Sequence, residues 1–470
     1  MRRPNILILY TDQQRWDALG VNGNPDIQTP HLDRLAQEGL NFDHYFVQNP
    51  VCMPSRASFL TGQYPSTLGI THMGVPVPPE TITLPRLLRP YGYRTANIGK
   101  LHFLPHANRD HRRPHPDYGF DHLEIADEPG VYEDAYRAWV RRIAPDQLDY
   151  LSVGLPPATA VWYETMEIED RVKHPSRGGR FDFKGAIPFP GRPEVTHTAF
   201  VAEQTIEFLK QQQAGQPFLC IAGFYSPHAP WVAPQKYLDR YDPARLALPD
   251  YPAEINAQRS EDYFSDTQLR SARHGYYAMI SEVDEHVGHI LAQLDRQGLA
   301  EDTIVIFTSD HGEWLGEHLR YGKSYPGADA VSRVPFIIRW PAARMAAGQT
   351  IRQIIEAVDV VPTLLEGVGI QPPPHLQGCS FFPALSGEPF SGRGAALMEH
   401  TGWKTLRTPQ YRYLIQADGE EKLWDIQQDP GEYHDVAAEP AYAAVLAEQR
   451  RLLLQRLIDM ERPLARIWPY

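Results

Sequence analysis

Short apolar runs, each ended at once by ionisable or turn residues, limit the folds open to this chain. The runs are 5–10 (NILILY), 93–98 (YRTANI), 217–224 (PFLCIAGF) and 303–309 (TIVIFTS). Continuous apolar character over about four to eight residues predicts strands buried on both faces, as in a mainly parallel sheet. Helical patterns lie between them at 31–39, 198–213 and 274–298. The alternation predicts an α/β fold, a sheet flanked by helices.

The pattern changes twice along the 470 residues, a length that exceeds the usual domain of about 100 to 200 residues. We predict a large α/β domain over 1–393, in which 105–195 is an elaborated insertion with little period. Short strand-like segments and a strong helical pattern follow. They predict a small antiparallel α+β subdomain over 394–470.

Composition excludes several classes of protein. A net charge of -13 argues against a nucleic-acid partner, because such proteins carry net or clustered positive charge. No apolar run approaches the roughly 18 residues of a membrane span, and 5–10 is followed by polar residues rather than by a signal-peptide cleavage site. Three cysteines indicate no disulfide framework. We therefore expect no membrane association and a cytoplasmic location.

Polar residues follow each predicted strand directly. They are Asp12 and Gln13, then Lys100 and His102, then His228, then Asp310 and His311. Singly, each has an ordinary explanation: an aspartate here is commonly a turn residue or helix cap, and a lysine a surface charge. Ligands of open α/β sheets bind beyond the carboxyl ends of the strands. The coincidence of these residues at four strand ends therefore predicts one shared site.

The residue types indicate the chemistry of that site. Asp12, Asp310 and His311, together with the amide of Gln13, offer oxygen and imidazole ligands suited to a divalent cation. The basic residues are Arg56, Lys100, His102, His228 and Lys323. A metal among basic groups suits a tetrahedral oxyanion, sulfate or phosphate. The acidic chain is thus predicted to hold a locally positive pocket.

The segment 51–62 (VCMPSRASFLTG) predicts a helix. Pro54 fits the first turn of this helix, where its missing N–H costs nothing, and Gly62 fits the end of the helix. Cys52 would then lie at the helix N-terminus, where the helix dipole favours an activated nucleophile or a bound anion. A buried structural cysteine fits that position equally well.

The same segment resembles the C-x-P-S-R-x-x-x-L-T-G signature of the type I sulfatases. Further resemblance covers nearly the whole chain outside 105–195, through PNILILYTDQQ, GYRTANIGKLHF, SPHAP and FTSDHGEWLGEH in the family's order. It implies the alkaline-phosphatase-like fold and a sulfuric ester hydrolase.

The resemblance also implies roles for the residues named above. A separate maturase would oxidise Cys52 to Cα-formylglycine, whose hydrate attacks sulfur to form a covalent sulfo-enzyme intermediate; its second hydroxyl then lets sulfate leave. The implied metal ligands are Asp12, Gln13, Cys52, Asp310 and His311. Arg56 and Lys100 would hold the formylglycine and sulfate oxygens, His102 would assist the diol, and His228 with Lys323 would help the alcohol leave.

The metal site departs from the family pattern at two positions. Many members have a second aspartate where this chain has Gln13, and an asparagine where it has His311. The change removes a negative charge and adds a softer ligand. We expect calcium first, with manganese or magnesium as alternatives.

Two other functions compete with a sulfatase. A phosphonate monoester or phosphate diester hydrolase of the same superfamily resembles the signature but generally lacks the Gly-Lys-x-His element, which is intact here at 99–102. A catalytically silent oxyanion-binding protein would keep Cys52 unmodified.

The substrate, an aryl, alkyl or sugar sulfate ester, is not identified by these residues. Aromatic side chains at Trp139, Trp162 and Tyr163 either line the pocket mouth or pack in a local core. The apolar end at 468–470 packs either on its own chain or on a neighbouring copy, and its composition favours a homo-oligomer contact.

Overall fold

The computed structural model describes residues 3–105, 114–130, 132–151, 185–213, 215–260, 263–343 and 345–461. Its strands are β1 (Asn5–Thr11), β2 (Leu40–Phe42), β3 (Tyr45–Phe46), β4 (Arg94–Gly99), β5 (His122–Ile125), β6 (Ile187–Pro188), β7 (Phe218–Gly223), β8 (Val232–Ala233), β9 (Thr303–Ser309), β10 (Phe336–Arg339), β11 (Gln349–Ile351), β12 (Ile355–Glu356), β13 (Ala396–His400), β14 (Trp403–Arg407), β15 (Tyr411–Gln416) and β16 (Glu421–Asp425). Its α-helices are α1 (Pro30–Glu38), α2 (Cys52–Thr61), α3 (Pro65–Leu68), α4 (Leu84–Leu88), α5 (Ala135–Ile143), α6 (His197–Lys210), α7 (Gln235–Leu238), α8 (Ala253–Asn256), α9 (Asp266–Arg296), α10 (Asp329–Ser332), α11 (Val360–Gly367), α12 (Phe382–Ser386) and α13 (Ala443–Met460).

The central sheet is mainly parallel, with strand order β11-β2-β10-β9-β1-β7-β4-β5. β10 runs antiparallel to both of its neighbours. The four strands predicted from the apolar runs are β1, β4, β7 and β9, and they lie side by side as β9-β1-β7-β4. Their carboxyl ends therefore share one edge of the sheet, as predicted.

Both faces of the sheet are buried, which explains why its strands are apolar throughout. Along β1, Ile6 and Ile8 pack with α2, α4 and α11 on one face, whereas Leu7 and Leu9 pack with α1, α6 and α9 on the other. Alternate residues of a strand point to opposite faces. Every position of β1 must therefore tolerate complete burial.

The region 105–195 contains regular structure that the sequence analysis did not identify. β5 extends the central sheet by pairing in parallel with β4, and α5 packs on α6. Trp139 of α5 is buried against Tyr136 and Phe200, so it belongs to the core rather than to a pocket mouth. Trp162 and Tyr163 lie outside the described residues.

A smaller antiparallel sheet, β13-β14-β15-β16, follows toward the C-terminus and packs against α13. The predicted fold class, a mainly parallel sheet with flanking helices and a smaller C-terminal α+β part, is confirmed. Among the described residues, no helix has the length and apolar character needed to cross a membrane.

Candidate active site

The four polar clusters meet because their strands end in register. Thr11 of β1 pairs with Ser309 of β9, and Gly99 of β4 pairs with Gly223 of β7. Gly99 has a φ of 89°, and a Cβ there would lie 2.1 Å from the Gly223 carbonyl oxygen. This close approach, which needs glycine, lets the N–H of Lys100 donate to that carbonyl at 2.7 Å.

Cys52 begins α2, and the helix has the predicted limits. Val51 before it is extended, and Gly62 ends the helix in the left-handed conformation with a φ of 65°. Two side chains of the first turns fix α2 to the end of β9. Ser55 Oγ donates to the carbonyl of Asp310, and Arg56 Nε lies 2.7 Å from the Asp310 carboxylate.

Asp12, Cys52, Asp310 and His311 form a buried group that could hold a metal ion, with their ligand atoms within 4.8 Å of one another. Cys52 Sγ lies 3.1 Å from His311 Nε2 and 3.7 Å from Asp12 Oδ1. Gln13 adds a buried Oε1 that accepts no hydrogen bond from any described residue. Carboxylate, amide and imidazole ligands in a compact buried group suit a divalent cation. The residues present therefore fit the metal that the sequence predicts.

Nearby carboxylates and cations shift the pKa values of two members of this group. Burial and Lys323 both lower the pKa of His311, but Asp310, Cys52 and Asp12 outweigh them and raise it to about 10. The pKa of Asp12 lies well below its ordinary value despite burial, chiefly because of Lys100, whose Nζ is 2.6 Å from Asp12 Oδ2.

Lys323 and His228 form a second group of basic side chains next to Cys52. Lys323 Nζ lies 2.7 Å from Cys52 Sγ, 3.3 Å from His228 Nε2 and 3.1 Å from His311 Nε2. His228 Nδ1 donates to the carbonyl of Ala229 at 2.6 Å, so the lone pair of the neutral ring is on Nε2, toward Lys323. Burial and Lys323 lower the pKa of His228 to about 3, and the ring is neutral at physiological pH.

Arg56 and Lys100 form ion pairs with the two aspartates of the metal group. Arg56 Nη1 donates to the carbonyl of Lys100 at 3.0 Å, and its guanidinium lies over the ring of Tyr10. His102 adopts a left-handed φ of 53°, and its backbone N–H donates to Asp127 at 2.9 Å. The structure thus brings together Cys52, the predicted metal ligands, Arg56, Lys100, His228 and Lys323. The role predicted for His102 is not tested by these backbone contacts and stays a prediction.

Two residues near the site have contacts that the sequence analysis did not predict. Tyr225 Oη donates to the Ala229 carbonyl at 2.6 Å and lies 3.0 Å from His228 Nδ1. Tyr276, in the middle of α9, donates to the carbonyl of Gln13 at 2.6 Å. Tyr225 is part of the motif that follows β7 and could have been found there, whereas nothing in the sequence connects Tyr276 with Gln13.

Known proteins resemble the chain over almost its whole length. A family model described as Sulfatase matches residues 4–370, and one described as N-sulphoglucosamine sulphohydrolase, C-terminal, matches 316–459. An ulvan-active sulfatase of Formosa agariphila is 29% identical over 97% of this chain and 82% of its own length. An arylsulfatase of Clostridium perfringens is 28% identical over 98% of this chain and 95% of its own length.

Among solved structures, a phosphonate monoester hydrolase of Agrobacterium radiobacter superposes with a TM-score of 0.81 at 27% identity, covering 97% of this chain and 96% of its own. Such neighbours confirm the alkaline-phosphatase-like fold that the sequence resemblance implied. The Sulfatase match includes each predicted site residue from Asp12 to Lys323. The chain therefore belongs to the sulfatase family and is a hydrolase of that family.

Proposed function

We propose that the protein hydrolyses sulfate monoesters, with Cys52 as the precursor of a formylglycine nucleophile and a divalent cation beside it. The position of Cys52 Sγ carries this proposal. The atom lies at a helix N-terminus, within 3.8 Å of the Asp12 carboxylate oxygens and 2.7 Å from the Lys323 ammonium. A nucleophile there would have the metal group on one side and cations for an anionic substrate on the other.

The proposed metal ligands are Asp12, Gln13, Cys52, Asp310 and His311, with calcium the first choice and manganese or magnesium the alternatives. When bound, the cation would supply fixed positive charge for developing oxyanions. The formylglycine hydrate would supply an attacking hydroxyl and a second hydroxyl that allows sulfate to be expelled.

Other residues of the chain have separate roles in the proposed reaction. Lys100 is fully buried against Asp12, so its charge is held in place without rearrangement, and Arg56 holds Asp310. We assign sulfate-oxygen contacts to Lys100, His228 and Lys323, and assistance to the diol to His102. Because His228 is neutral and faces the Lys323 ammonium, the proton for the departing alcohol starts on Lys323 Nζ and reaches the oxygen directly or through His228 Nε2.

Phosphonate monoester hydrolysis is the second candidate. It is favoured by the likeness to the Agrobacterium radiobacter hydrolase and by the Asp12-Gln13 pair after β1, since an Asp-Gln pair at this point also occurs in such hydrolases. Lys100 argues for sulfate, because its ammonium forms a buried ion pair with Asp12 at the centre of the site and belongs to the element that such hydrolases generally lack.

Sugar sulfates are the substrate class we favour for a sulfatase, because a relative of Bacteroides thetaiotaomicron is an N-acetylglucosamine-6-O-sulfatase. The proposal also includes a separate maturase that acts on Cys52 and a homo-oligomer. It further includes domain limits at 1–393 and 394–470 and a cytoplasmic location.

Sulfate release from aryl, alkyl and sugar sulfates, by protein produced with a formylglycine-generating enzyme, tests the proposal. We expect turnover only when the peptide containing Cys52 is about 18 Da lighter than its unmodified form, and none from a Cys52→Ala variant. A matured protein that releases sulfate from no ester, or a thiol that persists beside the maturase, would contradict it. The second result would favour an inert oxyanion-binding protein.

A further inference from the structure

Gln13 is held in a conformation that leaves one donor atom unused. Its backbone is left-handed, with a φ of 68°, and is fixed by two hydrogen bonds. The N–H of Gln13 donates to Asp310 Oδ1 at 3.0 Å, and its carbonyl accepts from Tyr276. In the side chain, Nε2 donates to Glu313, while the buried Oε1 has no partner among the described residues.

Glu313 is a fully buried carboxylate with three donors around it. Its Oε2 accepts from Gln13 Nε2, and its Oε1 accepts from the backbone N–H groups of Leu315, at 3.0 Å, and Gly322. A carboxylate only accepts hydrogen bonds, whereas an amide has one accepting and one donating end. The Gln13 amide must therefore turn its nitrogen toward Glu313 and its oxygen away.

We propose that Glu313 is a positioning residue that makes Gln13 Oε1 a metal ligand. This inference rests on the cation site of the proposed function. With the amide reversed, Gln13 would present N–H groups to a cation and repel it. Glu313 prevents the reversal, because Gln13 Nε2 is held by its hydrogen bond to Glu313. The buried Oε1, which has no partner among the described residues, is then the end of the amide that is available to a cation.

The same carboxylate connects the metal group with the sulfate-facing cations. Gly322, which donates to Glu313, directly precedes Lys323, whose Nζ lies 2.7 Å from Cys52 Sγ. Glu313 thus contacts both a proposed metal ligand and the backbone next to Lys323. Groups behind metal ligands commonly set metal affinity by about 10- to 100-fold.

Calorimetric titration of the full-length, chelator-treated protein with CaCl₂ and with MnCl₂ tests the inference without substrate. We expect Glu313→Gln to raise the dissociation constants about 10- to 100-fold, because the variant can donate to Gln13 and allow its amide to reverse. The matched control is Glu317→Gln. Glu317 belongs to the same loop but pairs with Arg15, and its substitution should leave metal binding unchanged.

A change at Gln13 distinguishes positioning from a structural effect. In a Gln13→Asp background both ligand oxygens are acceptors, so the side chain needs no orientation. There, Glu313→Gln has no amide to reorient, and it should weaken metal binding far less than in the native background. Equal weakening in both backgrounds, or no effect in the native background, would overturn the inference.

Sulfate release, measured separately, keeps the two proposals apart. Metal binding that depends on Glu313 in a protein that hydrolyses no sulfate ester would support this inference and defeat the proposed function. A native protein that binds neither cation would overturn the inference whatever its activity.

Discussion

At the scale of single residues, the site depends on how a few side chains are held. Tyr225 is the clearest case outside the metal group. Its hydroxyl contacts His228 Nδ1 and the Ala229 carbonyl, its ring packs 4.9 Å from the His228 ring, and Lys100 Nζ lies 5.0 Å from its centroid. Tyr225 therefore supports a proposed proton carrier and a proposed sulfate ligand together.

We predict that Tyr225→Phe slows hydrolysis of alkyl sulfates about tenfold and of activated aryl sulfates much less. The phenyl ring still supports Lys100, but His228 loses a hydrogen-bonding neighbour, and only a poor leaving group needs a well-placed proton. The measurement is kcat across esters whose alcohols differ in pKa, with Tyr241→Phe as a buried control away from Cys52. Equal slowing of every ester would argue against this role.

At the scale of elements, the sequence predicts those whose signal is local. β1, β4, β7 and β9 were predicted because a strand buried on both faces is apolar throughout. The beginning of α9 was missed, although Ser265 and Gln268 form the capping box that precedes it and were readable as such.

Elements that depend on their partners could not be predicted in this way. β5 has the mixed sequence HLEI and is a strand because β4 pairs with it. β2 and β11 are three residues each and are defined by their pairing. The same limit applies to the site, where the strand-end residues were predicted but the contact between Glu313 and Gln13 came only from the structure.

Helix α9 contains a buried carboxyl that makes stability depend on pH. Glu282 is buried and accepts from Thr196 Oγ1 at 2.6 Å, and burial raises its pKa to about 8 from an ordinary value of 4.5. Between these pH values the unfolded chain is ionised at Glu282 while the folded chain keeps the proton. The contribution of Glu282 to stability therefore falls as the pH rises.

We predict that Glu282→Gln raises the free energy of unfolding by about 2 to 4 kcal/mol at pH 8 and changes it little near pH 4.5. Urea unfolding at the two pH values measures the difference. Glu285→Gln is a control with the opposite expected sign. Burial raises the pKa of Glu285, but hydrogen bonds from Lys236 and Arg240 outweigh burial and lower the pKa to about 2. Loss of this carboxylate should therefore destabilise the protein at pH 8. A Glu282→Gln gain that is the same at both pH values would contradict the assignment.

At the scale of the whole molecule, buried ion pairs join the C-terminal sheet to the central one. Arg412 of β15 is fully buried and pairs with Asp329 of α10 and with Glu432. The carbonyls of Ala330 and Val331 in α10 accept from the N–H groups of Glu313 and Gly312. The C-terminal sheet is thus connected, through α10, to the segment that follows β9 and carries His311.

We predict that Arg412→Met lowers the free energy of unfolding by about 3 kcal/mol, because the buried Glu432 carboxylate loses the arginine that pairs with it. Asp329 keeps its pairs with Arg407 and Arg333. Arg450→Met is the matched control on α13. Arg450 forms an exposed pair with Glu421, and its loss should change stability by less than about 1 kcal/mol. Chemical unfolding of both variants gives the comparison. Equal, small losses would mean that the buried pairs do not hold the two sheets together.

The central claim is that this metal group, flanked by Lys100 and Lys323, acts on sulfate. Parallel turnover of one aryl sulfate and the matching aryl phosphonate monoester, by the same preparation of matured protein, tests it most directly. We predict a larger kcat/KM for the sulfate ester, and a preference that shrinks in a Lys100→Met variant. A large preference of the native protein for the phosphonate would contradict the claim and make the enzyme a phosphonate monoester hydrolase.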